Sequence, residues 1–438
     1  MASYDELSGI IGPLKRAAID AYMADEGFSP DIGADSLYSY WGWLPNSYRR
    51  PDANGEGGGE IIGFGSSISF DGIRSRVDSA VSPWLNPTLP DGSGASGPLT
   101  TTRSAASTLG ASGTGGGFED DGVIERSSST INLTVLTNIS GAFTTPFLAK
   151  YHDEFLNIAH RIGVATAMLE MNYSVQSQIW TAAGDDVATI CENAKDSLAS
   201  YAETTAQEML EYGLTVVTVA AGAVASIATA GAAAPLVAGM VTLAGTATIA
   251  IQAIDAVATL SGSSYSELME SFEAALDAVN SAISTQETEL VTMMNGAIGQ
   301  ISGNSASFDL DLVRFGDPEG TSEMIDIQQY RADTVSQNMQ NVIDSLTAAQ
   351  TSLGSAPASN PTPRNGAIGA GASGTHTAAS SLHQLTADCL ASTIQEYTLG
   401  RELFNATIAA YFADDQATKS DLDRISGSEA LSDLMGGS

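Results

Sequence analysis

The chain has 438 residues, 43% of them hydrophobic, so it is long enough for two or three domains with a sizeable core. Lys and Arg number 17 against 51 Asp and Glu, which gives a formal net charge of -34. Such a charge argues against nucleic-acid binding, because a protein needs basic groups to displace counterions from phosphate, and it disfavours docking on anionic lipid headgroups.

The N-terminal region, residues 1–91, combines one short helix with a turn-rich segment. An amphipathic helix is predicted over residues 4–25, because apolar side chains recur there at helical spacing, and Pro30 ends it. Those side chains are Leu7, Ile10, Ile11, Leu14 and Ala18. Turn-forming residues follow, and the stretch 62–81 predicts either a strand or a second helix.

Residues 92–130 differ from their neighbours because Gly, Ser, Thr and Ala dominate their composition. Segments of this kind usually bury too little apolar surface to hold one conformation. We therefore predict a flexible linker between the N-terminal region and the rest of the chain.

A central bundle of long helices is predicted over residues 131–302. Apolar side chains step by three, four and seven residues from Phe143 to Leu169, which places one apolar stripe along a helix. A second amphipathic pattern, from Leu268 to Ile301, predicts another long helix in the same bundle.

A bend is predicted in the first of these helices. Trp180 and Gly184 flank a short stretch of small residues, where we expect one helix to end. Asp185 and Asp186 would then cap the next helix, because carboxylates favour the positive end of a helix. Trp180 and Gly184 are therefore the candidate bend residues.

Within the central bundle, the stretch from Gly213 to Ile254 contains no charged residue. Its length fits two helices of about twenty residues, each long enough to cross a bilayer. Pro235 marks the break, because proline is tolerated in the first turn of a helix and poorly in its interior. We therefore predict an apolar helical hairpin over residues 213–260.

Small residues would let the two arms of this hairpin approach closely, as helices do in membranes. The glycines concerned are Gly213, Gly222, Gly231, Gly239 and Gly245. Leucine and phenylalanine are scarce, so transfer into lipid gains little free energy per residue. Two alternatives stay open: a tightly packed core element of a soluble helical domain, or a shielded membrane-active hairpin as in helical pore-forming toxins.

A helical hairpin is predicted at the C-terminus, over residues 323–418. Its arms run over about 324–353 and 375–415, and a Gly/Pro/Ala/Ser loop over 354–374 joins them. The second arm carries a heptad seam, which predicts left-handed antiparallel packing against another helix. The seam consists of Leu390, Ile394, Tyr397, Arg401, Phe404, Ile408 and Tyr411. The polar tail, 419–438, is expected to be loose.

No catalytic signature is present in the sequence. A Gly-x-Ser-x-Gly elbow and a P-loop are both absent. His152 and His160 lie eight residues apart, which is too far for the four-residue spacing of helical zinc ligands. Cys191 and Cys389 are distant in sequence and belong to no ligand cluster. We therefore expect no enzyme activity, no cofactor and no metal site.

Tyr411 and Asp415 lie four residues apart near the end of the last helical arm. On a helix this spacing places the phenol and the carboxylate on one face, where a receptor can contact both. A core tyrosine beside a solvated acid is the alternative explanation. The same spacing recurs at Tyr22 and Glu26 and at Tyr48 and Asp52.

In this position the Tyr-x-x-x-Asp pattern resembles the export signal of actinobacterial type VII (ESX) secretion substrates. The last hundred or so residues are similar to ESX secretion-associated proteins, with Ile325-Asp326 opening the first arm. The central helices resemble a WXG-type hairpin with Trp180 at the bend, although Gly184 lies two residues farther along than in Trp-x-Gly. The segment from Trp84 to Asp91 resembles large actinobacterial proteins that travel with this system.

The resemblance implies a helical protein that is exported without a cleaved signal peptide and carries its address at the C-terminus. Met1 to Asp25 agrees, because it lacks a basic segment followed by an apolar run. The implied partners are a secretion ATPase or a chaperone, together with a helical partner chain or a second copy. The implied location is outside the cell or on its surface.

Together these patterns predict a mainly α protein, an elongated bundle of long antiparallel helices with an irregular N-terminal region. Its predicted role is that of a secreted interaction or structural protein. One alternative is a membrane-perturbing effector that uses the hairpin 213–260. Another is a helical assembly or virion component from an acidic proteome.

Overall fold

The fold is described from a computed structural model that covers residues 2–31, 34–40, 47–63, 65–111, 122–139, 143–204, 260–308, 310 and 328–427. The predicted mainly α architecture, a bundle of long helices, is confirmed. Its helices are α1 Leu7–Asp25, α2 Asp71–Val81, α3 Ser96–Thr108, α4 Val123–Asn138, α5 Thr144–Leu148, α6 Phe155–Thr204, α7 Tyr265–Gly303, α8 Gln329–Leu353 and α9 His376–Gly427. Its strands are β1 Phe28–Asp31, β2 Ala34–Tyr40, β3 Ser47–Arg49 and β4 Ile61–Ile62.

The N-terminal helix, α1, forms as predicted and lies along α6. The segment that the sequence analysis described only as turn-rich is an antiparallel sheet with the strand order β1-β2-β3-β4. Tyr38 on β2 donates from its hydroxyl to the buried Asp20 carboxylate of α1, and Arg50 Nε donates to the same carboxylate at 2.9 Å. These bonds fix the sheet onto α1. The stretch 62–81 holds both a strand end and α2.

The prediction of a flexible linker over 92–130 is wrong for most of its length. The chain forms a short 3-10 turn at Ser93–Ala95, then α3, and later begins α4. α3 packs on α6 and α8, and α4 packs on α8. Ala105 and Ala106 are fully buried there, so the small side chains serve close helix contact rather than mobility.

The predicted bend at Trp180 and Gly184 is also wrong, because α6 runs without interruption from Phe155 to Thr204. The glycine serves close packing: a Cβ at residue 184 would lie 3.0 Å from the Cβ of Tyr4. Asp185 does cap a helical segment, but this segment is the 3-10 turn Tyr4–Glu6 that precedes α1. The Oδ1 atom of Asp185 accepts the main-chain N–H of Tyr4 at 3.2 Å. Trp180 is a buried core residue.

α9 packs antiparallel to α8 and also contacts α6 and α7. The predicted seam is largely buried, at Leu390, Tyr397, Phe404 and Ile408. A row of aromatic contacts joins α9 to the start of α6 and the turns before it. The ring-centroid distances are 4.4 Å for Phe155–Tyr397, 5.6 Å for Tyr151–Tyr397 and 5.2 Å for Phe147–Phe404.

The expectation of a loose tail from residue 419 is wrong as far as Gly427, because α9 continues to that residue. Neither proline nor glycine interrupts the sequence between 401 and 426, and Gly427 then follows, a residue type that commonly ends helices. Residues 428–438 and the first predicted turn of the other arm, 324–327, lie outside the described residues. The loop 354–374 contains neither helix nor strand, as predicted.

Candidate functional site

The candidate export signal lies near the end of α9. Tyr411 is half-buried against the core, with its ring edge-on to that of Phe412 at 5.4 Å between centroids. Asp415, one helical turn later, is exposed. The four-residue spacing within a continuous helix therefore presents a phenol at the edge of the core and a carboxylate in solvent, on the same helix face.

Two hydrogen bonds set the register between α8 and α9. His383 Nε2 lies 3.1 Å from the main-chain oxygen of Leu353, and Arg401 Nε donates to the main-chain oxygen of Ser336 at 3.0 Å. In this antiparallel register Gln329, the first residue of α8, lies level with Ile408. The part of α9 from 409 to 427 thus extends about 28 Å beyond the start of α8, at 1.5 Å per residue.

A groove of about 470 Å³ lies where α8 begins beside α9. Ile408 and Phe412 provide its apolar floor, and Asp333, Gln337 and Asn405 provide polar walls. Close by on the first turn of α8, Tyr330 exposes 55% of its surface, with the Arg331 guanidinium 4.7 Å from its ring centroid. The end of α9 therefore combines apolar surface with acidic groups.

The two other Tyr-x-x-x-acid matches sit in different surroundings. Tyr22 packs edge-on against Tyr265 at 5.7 Å, and burial together with the Glu26 carboxylate raises the pKa of its hydroxyl. Tyr48 lies on β3 and not on a helix, so its four-residue spacing from Asp52 does not place the two side chains on one face. Asp52 is engaged in a turn, accepting the main-chain N–H of Asn54 at 2.8 Å.

The apolar hairpin, 213–260, lies outside the described residues except for Leu260, and so do Gly213, Gly222, Gly231, Pro235, Gly239 and Gly245. The described part of the chain stops at Thr204 and resumes at Leu260. Tyr201 and Ser263 lie side by side there, since the Tyr201 hydroxyl is 3.2 Å from the Ser263 main-chain oxygen. The uncharged stretch is therefore inserted between two points that are close in space.

Asp25, the last residue of α1, joins the two sides of this insertion. Its Oδ2 accepts the main-chain N–H of Tyr265 at 2.9 Å, and its Oδ1 accepts the hydroxyl of Tyr201. The end of α6 and the start of α7 are thereby fixed to α1.

The insertion point and the end of α9 lie at opposite ends of the bundle. The start of α6 is level with Tyr397, whose ring contacts Phe155, and from there α9 continues away from the body of α6. A straight helix of 50 residues is about 75 Å long, so most of the length of α6 lies between Thr204 and the end that contacts α9. No helix within the described ranges is long and apolar enough to cross a membrane.

A buried ion pair is the polar feature that the sequence analysis missed. Glu287 on α7 and Arg364 in the loop after α8 both have fully buried side chains, with 2.5 Å between Oε2 and Nη2. The guanidinium stacks over the Trp180 ring at 4.8 Å. A signal existed in the sequence, because Glu287 falls within the apolar stripe of its helix, between Ile283 and Leu290.

The surroundings of the remaining candidate residues, two cysteines and one histidine, indicate structural roles. Cys191 and Cys389 form no disulfide with each other, and burial with the nearby Glu192 carboxylate raises the pKa of Cys191 to about 12. His152 Nδ1 lies 2.7 Å from the Asp153 carboxylate. Among the residues that the structure describes, no three His, Cys, Asp or Glu side chains are arranged to hold a metal ion.

Comparison of the chain with protein-family models, with curated proteins and with solved structures gives no match. The geometry of the α9 end and the sequence pattern therefore carry the functional argument.

Proposed function

We propose that this protein is a secreted helical substrate of a type VII-like secretion system, in which it acts as an interaction or structural protein. Tyr411 and Asp415 form its export signal. A secretion ATPase or a chaperone binds this end of the molecule, and a helical partner chain or a second copy packs beside it. The protein acts outside the cell or on its surface and uses no cofactor.

One observation carries the proposal: the helix that bears Tyr411 and Asp415 continues past the start of its neighbour α8. A receptor can approach both side chains there without unfolding the bundle. The adjoining groove, with Ile408 and Phe412 on its floor, offers a receptor apolar contact next to the carboxylate. Recognition of such a mixed surface depends on a few anchoring side chains.

Replacement of both signal residues tests the proposal. Tyr411→Ala with Asp415→Ala should stop secretion in a host that has the secretion system, while the protein stays soluble and abundant in the cell. Asp414→Ala is the matched control, because this acid is equally exposed but follows Tyr411 by three residues instead of the four that the Tyr-x-x-x-Asp pattern requires. Normal secretion of the double variant would contradict the proposal.

A second candidate function is membrane perturbation by the uncharged stretch within residues 213–260. The insertion of this stretch between adjacent points, Tyr201 and Ser263, favours it, because such a segment can leave the bundle without separating α6 from α7. Dye release from liposomes tests this function. Gly222→Leu with Gly231→Leu should change the release through altered helix packing, and no release by the wild-type protein under any condition would contradict it.

A further inference from the structure

The loop 354–374, which we call the strap, connects α8 to α9. His383 Nε2 on α9 lies 3.1 Å from the main-chain oxygen of Leu353, the last residue of α8. The α8–α9 pair therefore stays closed at the base of the strap whatever the strap does. Gly354 and Gly374 are the first and last residues of the strap. Their φ angles are +63° and +49°, in a backbone region that residues other than glycine rarely adopt.

The Glu287 carboxylate attaches two separate points of the strap to the core. Glu287 Oε2 accepts Arg364 Nη2 at 2.5 Å and the main-chain N–H of Ala370 at 2.8 Å. The strap is moulded closely around this pair. A Cβ at Gly369 would lie 2.5 Å from Glu287 Oε2, and one at Gly374 would lie 1.8 Å from Arg364 Nη2.

Within the described part of the chain, the other polar attachments of the strap to the core come from Asn280 and Thr88. Asn280 on α7 donates from Nδ2 to the Ala367 main-chain oxygen at 3.1 Å and accepts the Gly369 N–H at 2.7 Å. The N–H of Asn365 donates to the main-chain oxygen of Thr88 at 3.0 Å. None of these hydrogen bonds is one of the main-chain bonds within a helix or between paired strands, so they can be lost without disrupting the bundle.

The strap covers two features of the core. Its residues Ala367 and Ile368 form one wall of a groove of about 600 Å³ between α2 and α7, which Arg76 and Glu273 also line. Arg364 covers the ring of Trp180. Ile368 itself is 1% exposed, so departure of the strap would transfer apolar surface on both sides into water.

We propose that the strap is a conformational latch: it opens as one unit about Gly354 and Gly374 while α8 and α9 remain packed, and the Glu287–Arg364 pair fastens it. Buried ion pairs contribute little net stability but fix one arrangement, since either charge left alone is strongly disfavoured. Segments without regular secondary structure and with few attachments open well below the free energy of global unfolding. Opening widens the groove between α2 and α7 and exposes Trp180.

Hydrogen exchange of the wild-type protein tests the latch without any substitution. The amides of Asn365, Gly369 and Ala370, each hydrogen-bonded in the closed strap, should exchange together, faster than the amides of α8 and with little dependence on denaturant. Exchange of these amides only in step with those of α8, with the same denaturant dependence, would show that the strap opens only on global unfolding.

Two substitutions test the fastener. Arg364→Met should accelerate exchange of the three strap amides by a factor of about 100 or more, the size expected when a buried carboxylate loses its partner, while these amides keep their weak dependence on denaturant and stay faster than the amides of α8. The fraction of the total tryptophan fluorescence that acrylamide quenches, to which Trp180 contributes with three other tryptophans, should rise in parallel. Arg103→Met removes the Arg103–Glu170 pair between α3 and α6, whose arginine is 59% exposed, and should leave strap exchange as it is.

Equal acceleration of strap exchange by Arg364→Met and by Arg103→Met would overturn the assignment of the fastener, as would no acceleration by Arg364→Met. Should Arg364→Met not fold, Asn280→Ala replaces it. This variant removes two attachments of the strap on the surface of α7 and should accelerate exchange of the Asn365 and Ala370 amides, which keep their hydrogen-bond acceptors, while their weak dependence on denaturant persists. Unaltered strap exchange in Asn280→Ala would contradict the latch.

Discussion

Arg401 on α9 donates from Nε to the main-chain oxygen of Ser336 on α8 at 3.0 Å, across 65 residues of sequence. Its stem occupies a position of the apolar seam, while its head reaches the polar backbone of the neighbouring helix. This bond helps to set the register that leaves the end of α9 beyond α8, so Arg401 determines how far the candidate export signal extends from the bundle.

Replacing Arg401 tests its contribution to the α8–α9 interface. Arg401→Met keeps an unbranched apolar stem and removes the hydrogen bond, so we expect a loss of about 1 kcal/mol in the free energy of unfolding. Urea denaturation monitored by circular dichroism measures it. Arg126→Met, on the exposed face of α4, is the control and should change stability by less than about 0.5 kcal/mol. A loss no larger than that of the control would contradict the structural role.

Gly400 makes a second test of the same interface. A Cβ at this position would lie 2.1 Å from Tyr151 Cε1, so Gly400→Ala should force α9 away from the aromatic row and cost about 1–3 kcal/mol. Gly299→Ala on α7 is the matched control, because its Cβ would meet nothing within 4 Å. There the loss of unfolded-chain entropy should stabilise the protein by about 0.5–1 kcal/mol.

Thermal unfolding of the two glycine variants, measured under identical conditions, separates these effects. The account predicts changes in melting temperature of opposite sign. A rise in melting temperature for Gly400→Ala as well as for Gly299→Ala would mean that α9 does not approach Tyr151 as closely as the structure has it.

The stability of the folded protein is expected to depend on pH through Asp186. Burial, with a smaller contribution from the Asp185 charge, raises the pKa of Asp186 from 3.8 to about 6. The folded protein thus holds this proton more tightly than the unfolded chain does. The stability gained from the protonated carboxyl is complete below about pH 4 and is lost as the pH rises through about 6.

Asp186→Asn should therefore raise the melting temperature at pH 8 and change it little at pH 4, where the wild-type carboxyl is neutral as well. Calorimetric scans at the two pH values measure the difference. An equal shift at both values would show that the carboxyl does not titrate differently in the folded protein.

The amphipathic patterns predicted most of the helices, because burial of one stripe is a local property of sequence. Most of the predicted apolar stripe of α1 and four of the seven seam residues of α9 are buried, as their spacing indicated. The predicted bend is wrong because Gly184, expected to mark the end of a helix, instead permits contact with Tyr4, 180 residues earlier. Close approach between distant elements leaves no periodic trace in the chain.

The linker prediction failed for a related reason. Ala105 and Ala106 look like linker residues by composition, yet they are buried because α6 and α8 supply the surface that covers them. The Glu287–Arg364 pair could be predicted only in part. A charge within an apolar stripe requires a partner, but the sequence does not indicate that this partner lies in a loop 77 residues away.

Secretion of the signal variants tests the central claim most directly. Culture supernatant and cell fractions should be compared for the wild-type protein, Tyr411→Ala, Asp415→Ala and the control Asp414→Ala, with melting temperature measured for each purified variant. The account predicts that the first two variants accumulate inside the cell as folded protein, whereas Asp414→Ala is secreted like the wild type. Wild-type secretion of both Tyr411→Ala and Asp415→Ala, or equal loss of secretion in Asp414→Ala, would contradict it.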